Sequence, residues 1–198
     1  MIQTLLLTLQ ILLPAAFGLD TADLRSGDLL LESLPCQLCS LIEVEEGAPY
    51  SHGAVILREN SQIYALQALR MVEKIPLQAF LNLRRPGTST GVFRPIGLPI
   101  PDSILRVQFQ QHFEGLSYDE EFLWNNYDSK GEKLYCSEFI VKLLNPFLDL
   151  PIKTKPMHYT HSRADWINYF KGNPPDGLPG VSPGDLSRSP SFRAIGTL

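Results

Sequence analysis

The sequence has no surplus of positive charge. It carries 17 lysine and arginine residues against 21 aspartate and glutamate residues, which gives a formal net charge of -4. A protein that binds nucleic acid needs a basic surface to neutralise phosphates. The charge balance therefore argues against a nucleic-acid partner.

Internal repeats, heptads and blocks of like charge are also missing from the 198 residues. The chain is long enough for one domain with a substantial core, and it is short for two. It contains neither a GxxxxGK[ST] phosphate loop nor a GxGxxG dinucleotide loop, so a nucleotide-binding function lacks its usual signature. We expect an ordinary globular domain that needs no cofactor.

The first 18 residues contain no charged side chain and end in small residues. Ala16-Phe17-Gly18 resembles the small-x-small pattern before a signal-peptidase cut, although the usual basic residue near the start is missing. The run is short for a membrane span of about 20 residues. We expect residues 1–18 to be a signal peptide, residues 19–198 to form a single domain, and the protein to be exported to the periplasm or secreted. The alternative is a membrane anchor, which would then be the one point of membrane contact.

Cysteine is scarce, with Cys36, Cys39 and Cys136 only. An odd number in an exported chain suggests one disulfide and one free thiol. If Cys36 and Cys39 pair, Cys136 is the thiol left over. Their CxxC spacing occurs in thioredoxin-like redox motifs, but those motifs follow a strand in a βαβ setting that this region lacks. A local disulfide or two unpaired thiols is the favoured interpretation.

Predicted strands precede predicted helices along the chain. Alternating or β-branched apolar runs bounded by turn residues predict strands, and helical spacing predicts helices. The strands fall at residues 29–32, 51–57, 62–68 and 91–95, and the helices after Pro76, over 103–113 and from Cys136 to Asn145-Pro146. The apolar piece 38–43 fits either type, and the Pro-, Gly- and Ser-rich stretch from residue 172 has the composition of a linker. Without βαβ alternation, this order indicates an α+β fold.

Cys136 lies at or just before the first turn of a predicted helix. A helix N-terminus presents unpaired N–H groups and partial positive charge, which lower the pKa of a thiol. The same N–H groups can hold the oxyanion that forms when a thiolate attacks a carbonyl. The alternative is a buried structural cysteine, which is the commoner fate of a free cysteine.

A cysteine nucleophile needs a base within hydrogen-bonding reach. His52 opens an apolar strand, where a rigid scaffold presents side chains to clefts, and the alternative is a surface histidine. The competing histidines are His112, His158 and His161. The last two have HxxH spacing, but no carboxylate or thiol stands at ligand spacing nearby, so we expect no metal.

A third polar group usually orients the imidazole of such a pair. Gln67 lies on the strand predicted to pair with the His52 strand, between Leu66 and Ala68. An inward-facing amide at this position is able to fill that role. From spacing alone, an exposed strand residue is the favoured alternative.

Together these segments resemble the YiiX/YebB-like branch of the NlpC/p60 cysteine hydrolases, a circularly permuted form of the papain fold. The matching segments, in order, are SGDLLLES, LCSLIE, YSHGAVIL, YALQA with IPLQAF, GLSYDEEF, LYCSEFIVKLL and GLPGVSPGDLSRSPSF. The resemblance spans nearly the whole chain after the leader. It implies a permuted papain-like α+β domain, with an antiparallel sheet or small barrel packed against helices. It also implies that the C-terminal stretch packs against this domain.

Carried over residue by residue, the resemblance puts the nucleophile on Cys136 and the base on His52. The third position is often Glu in this branch, and here it is Gln67, which would stabilise an imidazolium less than a carboxylate does. Tyr135 and Ser137, beside the nucleophile, are the candidates for substrate or oxyanion contacts, although Tyr135 could equally be a packing residue.

The resemblance implies a cysteine amidase or peptidase that acts on peptide amide bonds, with cell-wall peptide suggested by analogy. Two alternatives remain open. One is a lipid acyltransferase or thioesterase that uses the same cysteine, and a long apolar groove beside it would favour that function. The other is a binding domain that has kept the scaffold and lost its activity.

Overall fold

The computed structural model of the protein describes residues 18–198. The predicted signal peptide therefore lies outside the described residues, except for its last residue. Within residues 18–198, no helix is both long enough and apolar enough to cross a membrane.

A six-stranded antiparallel sheet lies at the centre of the fold, in the order β10-β5-β1-β2-β3-β4. Its strands are β1 (Leu29–Glu32), β2 (His52–Glu59), β3 (Gln62–Ala68), β4 (Val72–Pro76), β5 (Gly91–Pro95) and β10 (Phe192–Thr197). The edges are β10 and β4, so the sheet is open. Of the two expected forms, the chain adopts the sheet and not the barrel.

Six helices and two short strand pairs complete the described chain. The helices are α1 (Gln37–Glu46), α2 (Leu77–Leu81), α3 (Asp102–His112), α4 (Cys136–Leu144), α5 (Arg163–Phe170) and α6 (Pro183–Arg188). The pairs are β6 (Asn126–Asp128) with β7 (Gly131–Lys133), and β8 (Lys155–Pro156) with β9 (Pro179–Gly180). Short 3-10 turns occupy Thr21–Asp23 and Asn145–Phe147. The α+β prediction is confirmed.

The sheet separates two apolar clusters, because successive side chains of a strand point to opposite faces. Val55 and Leu57 of β2 belong to the larger cluster, with residues of α3 and α4. Ala54 and Ile56 belong to the smaller cluster, with Phe80 of α2. Every residue of α4 except Lys142 is buried, so this helix is the central element of the larger cluster.

Gly53 lets α4 approach the start of β2 closely. A Cβ atom at this position would lie 2.7 Å from Leu31 Cδ2 and 3.0 Å from Ile140 Cδ1 of α4. Carbon atoms in van der Waals contact are about 3.5–4.0 Å apart, so a side chain here would push the helix away. The glycine thereby fixes the distance between the N-terminal half of α4 and β2.

The segment 38–43, whose type the pattern left undecided, lies within helix α1. The Sγ of Cys36 accepts a hydrogen bond from the N–H of Cys39 at 3.0 Å and caps the helix start. Gly47, at φ +58°, ends it in the left-handed conformation that glycine adopts without strain. Cys36 and Cys39 are joined by a disulfide.

The C-terminal stretch is part of the domain, so the linker suggested by its composition is wrong. Helix α6 starts with a capping box, in which Ser182 and Asp185 each accept a hydrogen bond from the other's backbone N–H. Strand β10 then pairs with β5. Proline and serine at 182–183 begin a helix here, and proline suits that position because its missing N–H is not needed.

Candidate active site

Cys136 is the first residue of α4 and is 7% exposed. The backbone N–H groups of Cys136, Ser137 and Gly53 all approach its sulfur atom. No side chain caps the helix start, so its unpaired N–H groups stay directed at the thiol. This arrangement offers hydrogen-bond donors to a negative charge on the sulfur or on an oxygen beside it.

Burial nevertheless raises the pKa of the Cys136 thiol above its ordinary value. The hydrogen bonds from Ser137 and from the N–H groups of Gly53 and Cys136 lower it, but by less than desolvation raises it. We predicted a lowered pKa from the helix N-terminus alone. That prediction was wrong, because the burial of the thiolate in an apolar environment outweighs the helix contribution.

His52 and Gln67 form a buried pair on neighbouring strands. Nε2–H of His52 donates to Oε1 of Gln67 at 2.8 Å, and each residue is 2% exposed. Gln67 pairs in register with Ala54, whose methyl group leaves space for the amide to reach diagonally to His52. Gln67 is thus an inward-facing residue and not an exposed strand residue.

Burial lowers the pKa of His52 to about 4, and the Gln67 hydrogen bond opposes this shift. The imidazole is therefore neutral at pH 7. A carbonyl oxygen only accepts hydrogen bonds, so the proton of the neutral ring lies on Nε2, and Nδ1 keeps its lone pair. The ring also packs against Phe80, at 5.8 Å between ring centroids.

The thiol and the imidazole are linked through the backbone of Gly53 and not by a direct contact. Cys136 approaches the N–H of Gly53, which directly follows His52. Among residues 18–198, the side-chain contact of the sulfur is with Ser137 Oγ at 3.7 Å, and no hydrogen bond joins it to His52. The structure therefore brings together His52 with Gln67, and Cys136 with the residue next to His52.

The two residues beside the nucleophile have different environments. Tyr135 packs edge-on against Phe122, and its hydroxyl accepts a hydrogen bond from the N–H of Val181 at 3.2 Å. Burial raises its pKa well above the ordinary value, so it remains a neutral wall residue. Ser137 is 1% exposed, and its hydroxyl faces the thiol.

An apolar cleft opens beside Cys136. Its walls are largely aromatic, and the principal side chains are Tyr118, Phe122, Tyr135, Met157, Tyr159 and Trp166. The polar side chains of the lining are Glu45, Glu46, Ser51, Ser137, His158 and Ser182. A pocket of this composition buries apolar groups of a ligand and orients them with few polar contacts.

One wall of the cleft is held by a single carboxylate. Glu45 of α1 accepts hydrogen bonds from the N–H groups of Thr160 and His161, at 2.9 and 2.8 Å, and from Trp166 Nε1 at 3.2 Å. Burial raises the pKa of Glu45, but the hydrogen bonds from Thr160 and His161 together lower it below its ordinary value. The contact joins α1 to the chain segment that carries α5.

Comparison with known proteins assigns the chain to a family. The sequence profile described as "Permuted papain-like amidase enzyme, YaeF/YiiX, C92 family" matches residues 23–196. The chain belongs to this permuted papain-like amidase family. The match covers every strand of the sheet, apart from the last residue of β10, and both segments that carry Cys136 and His52.

A crystal structure of YiiX from Escherichia coli O157:H7, described as a metalloprotein, is similar to this amidase fold. It aligns with a TM-score of 0.76 and 20% sequence identity, over 88% of this chain and 97% of that one. At this identity the likeness supports the fold alone. A search among curated proteins found no match.

Of the competing histidines, His158 lines the cleft beside Cys136. His112 and His161 are exposed, and residues 18–198 contain no group of three or more metal-ligating side chains.

Residues Gly87–Gly91 match the GxSxG pattern but lie in a loop that leads into β5. A nucleophile elbow is instead a strand-to-helix turn, so this match does not indicate a serine hydrolase.

Sequence reasoning missed two carboxylates near the site. Glu73 of β4 accepts a hydrogen bond from Nε2 of Gln67 at 3.1 Å, and Glu45 supports the cleft wall. In the sequence, Gln67 and Glu73 lie equally many residues before and after Arg70, which is in the turn between β3 and β4. That symmetry is the one sequence signal that could have paired them.

Proposed function

We propose that this amidase is a thiol hydrolase in which Cys136 attacks the carbonyl carbon of a peptide amide and His52 acts as the base. The observation that carries the proposal is the placement of a thiol at an uncapped helix N-terminus, beside a cleft and close to the N–H of Gly53, the residue that follows a histidine held by an amide. Catalytic hydrogen bonds are often longer in an unliganded enzyme than in its substrate complex. We assign the Cys136–His52 bond to that complex.

In the proposed reaction, the thiol proton moves to His52 Nδ1 as the sulfur–carbon bond forms. The oxyanion accepts hydrogen bonds from backbone N–H groups at the start of α4. His52 then protonates the leaving amine as the carbon–nitrogen bond breaks, which leaves an acyl group on Cys136. Water, deprotonated by His52, hydrolyses the thioester and restores the thiol.

The pKa values favour a neutral resting pair over a thiolate–imidazolium ion pair. The pKa of Cys136 is raised and that of His52 is lowered to about 4, so both groups are uncharged at neutral pH. Gln67 provides no negative charge to stabilise an imidazolium. Proton transfer from the thiol would therefore accompany the attack and not precede it.

The test is turnover of peptide p-nitroanilides by the mature chain, together with intact-mass detection of an acyl group on Cys136. Cys136→Ala should abolish both signals, and His52→Gln should lower the rate by roughly 10²–10⁴-fold. His158→Gln is the matched control, since this histidine lines the same cleft, and it should retain the wild-type rate. Equal losses in the two histidine variants, or turnover by Cys136→Ala, would refute the proposal.

The apolar cleft favours a second candidate, transfer or hydrolysis of a fatty acyl group through the same cysteine. Aromatic walls accommodate an acyl chain without requiring polar partners. A series of p-nitrophenyl esters from acetate to dodecanoate separates the two functions. A kcat/KM that rises steeply with chain length and exceeds that for the p-nitroanilides would favour the acyl substrate. A flat series would favour the peptide.

We also propose that the protein acts outside the cytoplasm. Two observations support this location, the uncharged apolar start of the sequence and the Cys36–Cys39 disulfide, because disulfides persist in oxidising compartments. Expression with export, followed by intact-mass analysis, should give a chain that starts after Gly18. A full-length chain recovered with the membrane fraction would support the anchor instead.

A further inference from the structure

A row of polar side chains crosses three strands of the sheet on one face. Gln67 pairs in register with Glu73 of β4 on one side and with Ala54 of β2 on the other. Residues directly opposite in an antiparallel pair have their Cβ atoms about 4.5–5.5 Å apart on the same face. His52, two residues before Ala54, lies on this face as well. The row therefore runs His52, Gln67, Glu73.

The hydrogen bonds along this row have a defined direction. His52 Nε2–H donates to Gln67 Oε1 at 2.8 Å, and Gln67 Nε2 donates to Glu73 Oε1 at 3.1 Å. Glu32, which pairs with His52 from the opposite strand, is bonded to Thr90 and not to His52. Gln67 is thus the hydrogen-bond partner of the imidazole among the described residues.

A glutamine amide can present either its oxygen or its NH2 group to a neighbour, whereas a carboxylate oxygen only accepts. We propose that Glu73 is a positioning residue that fixes the Gln67 amide with its oxygen towards His52. With the amide reversed, its NH2 group would donate to His52 Nε2, and the ring proton would move to Nδ1. Nδ1 would then be unable to accept the thiol proton.

The proposal rests on the proposed role of His52 as the base, and it adds a carboxylate that acts through Gln67. The neutral amide of Gln67 thereby donates a hydrogen bond to a negatively charged side chain, Glu73, which is the next residue along the row. Members of the branch often have a glutamate next to the histidine, whereas here the nearest carboxylate of the row, Glu73, lies one strand further away.

The test is the tautomer of His52, read from two-bond 1H–15N correlations of the mature chain labelled with 15N-histidine at pH 7. His52 is recognised because it is buried, while His112, His158 and His161 are exposed and can be removed one at a time. The wild type should show the Nε2–H form. In Glu73→Gln either amide can reverse, so the Nδ1–H form should rise to roughly a sixth or more of the population.

Two further variants complete the experiment. The Gln67→Glu/Glu73→Gln double variant places a carboxylate next to the imidazole and should restore the Nε2–H form. Glu59→Gln is the matched control on the same hairpin, since Glu59 bonds Lys74 and Arg106 and not Gln67, and it should leave the tautomer unchanged. An exclusive Nε2–H form in Glu73→Gln, or an Nδ1–H form in the wild type, would overturn the proposal.

Acylation of Cys136 by p-nitrophenyl acetate separates this inference from the proposed function. If both hold, the acylation rate falls in Glu73→Gln and recovers in the double variant. If the tautomer changes as expected while acylation is the same in every variant, His52→Gln included, the positioning role of Glu73 stands and the proposed function fails.

Discussion

The buried carboxyl group of Glu32 makes stability depend on pH in a way that one substitution can isolate. Glu32 is fully buried at the end of β1. Its Oε2 accepts a hydrogen bond from Thr90 Oγ1 at 3.1 Å, and its Oε1 has no partner in the described structure. Burial raises its pKa from 4.5 to about 7, against smaller opposing effects of Thr90 and Arg84.

The magnitude follows from the two pKa values. A folded-state pKa above the unfolded value means that the folded protein binds the proton more tightly, so stability is greatest below pH 4.5 and falls as the pH rises through 7. Between pH 5 and pH 8, a shift of this size removes about 2 to 3 kcal/mol from the free energy of unfolding. Glu32→Gln has no ionisable group and keeps an acceptor for Thr90. It should not show this loss.

The assay is chemical unfolding of wild type and Glu32→Gln at pH 5, 6, 7 and 8. Titrating groups far from Glu32, including Glu138, contribute equally to both proteins and cancel in the difference, and His52, which pairs in register with residue 32, has a pKa of about 4 and stays neutral over this pH range. The variant should gain about 2 to 3 kcal/mol on the wild type between pH 5 and pH 8, or roughly 5–10 °C in melting temperature. The exposed Glu114→Gln serves as the control. Parallel curves for Glu32→Gln and wild type would refute the reasoning.

Three further changes have definite expected outcomes. Gly53→Ala should destabilise the fold by about 1–3 kcal/mol and slow the acylation of Cys136, because the added Cβ would lie within 3.0 Å of a leucine methyl of β1 and an isoleucine methyl of α4. Unchanged unfolding and acylation would contradict the close packing of α4. Arg94→Gln should lower the free energy of unfolding by about 3–5 kcal/mol, because the carboxylate of Asp28, which is 1% exposed, loses both hydrogen bonds from the guanidinium. A decrease below about 1 kcal/mol would show that the ion pair contributes no more than an exposed one. Gln67→Glu should raise the pKa of His52 from about 4 by roughly 1–3 units, as measured by NMR titration, and an unchanged pKa would show that the pair is not formed.

Strands β1, β2, β3 and β5 and helices α3 and α4 were predictable because their apolar spacing is regular, whereas β10 lies in a stretch whose composition is typical of a linker. The β2–β3 hairpin pairs Glu59 with Gln62, as its short polar link predicts. Helix α1 was ambiguous, because a six-residue apolar run fits a strand or a helix equally well and its cap is a cysteine. Helix α5 was missed, since Trp166 is its only buried residue and an apolar stripe is lacking.

The members of the candidate site stay a prediction from the sequence, and the chemistry of the thiol could not be predicted from it. A position at a helix start, a position at a strand start and a family resemblance together indicate Cys136, His52 and Gln67. The pKa of a thiol also depends on how deeply it is buried, which no local pattern reports. Glu73 was missed for a related reason, because its relation to Gln67 is a matter of strand register and not of any motif.

The hydrogen bonds of Glu45 hold a wall of the cleft that comes from different parts of the sequence than the reacting groups do. The groups assigned to the proposed reaction come from residues 52–136. The wall held by Glu45 comes from α1 and from residues 157–170, which lie more than 110 positions after Glu45 in the sequence. Insertions or substitutions in the later segment can reshape what the cleft accepts while the thiol, imidazole and amide stay in place. Under the proposed function, substrate preference can therefore change separately from the reacting groups.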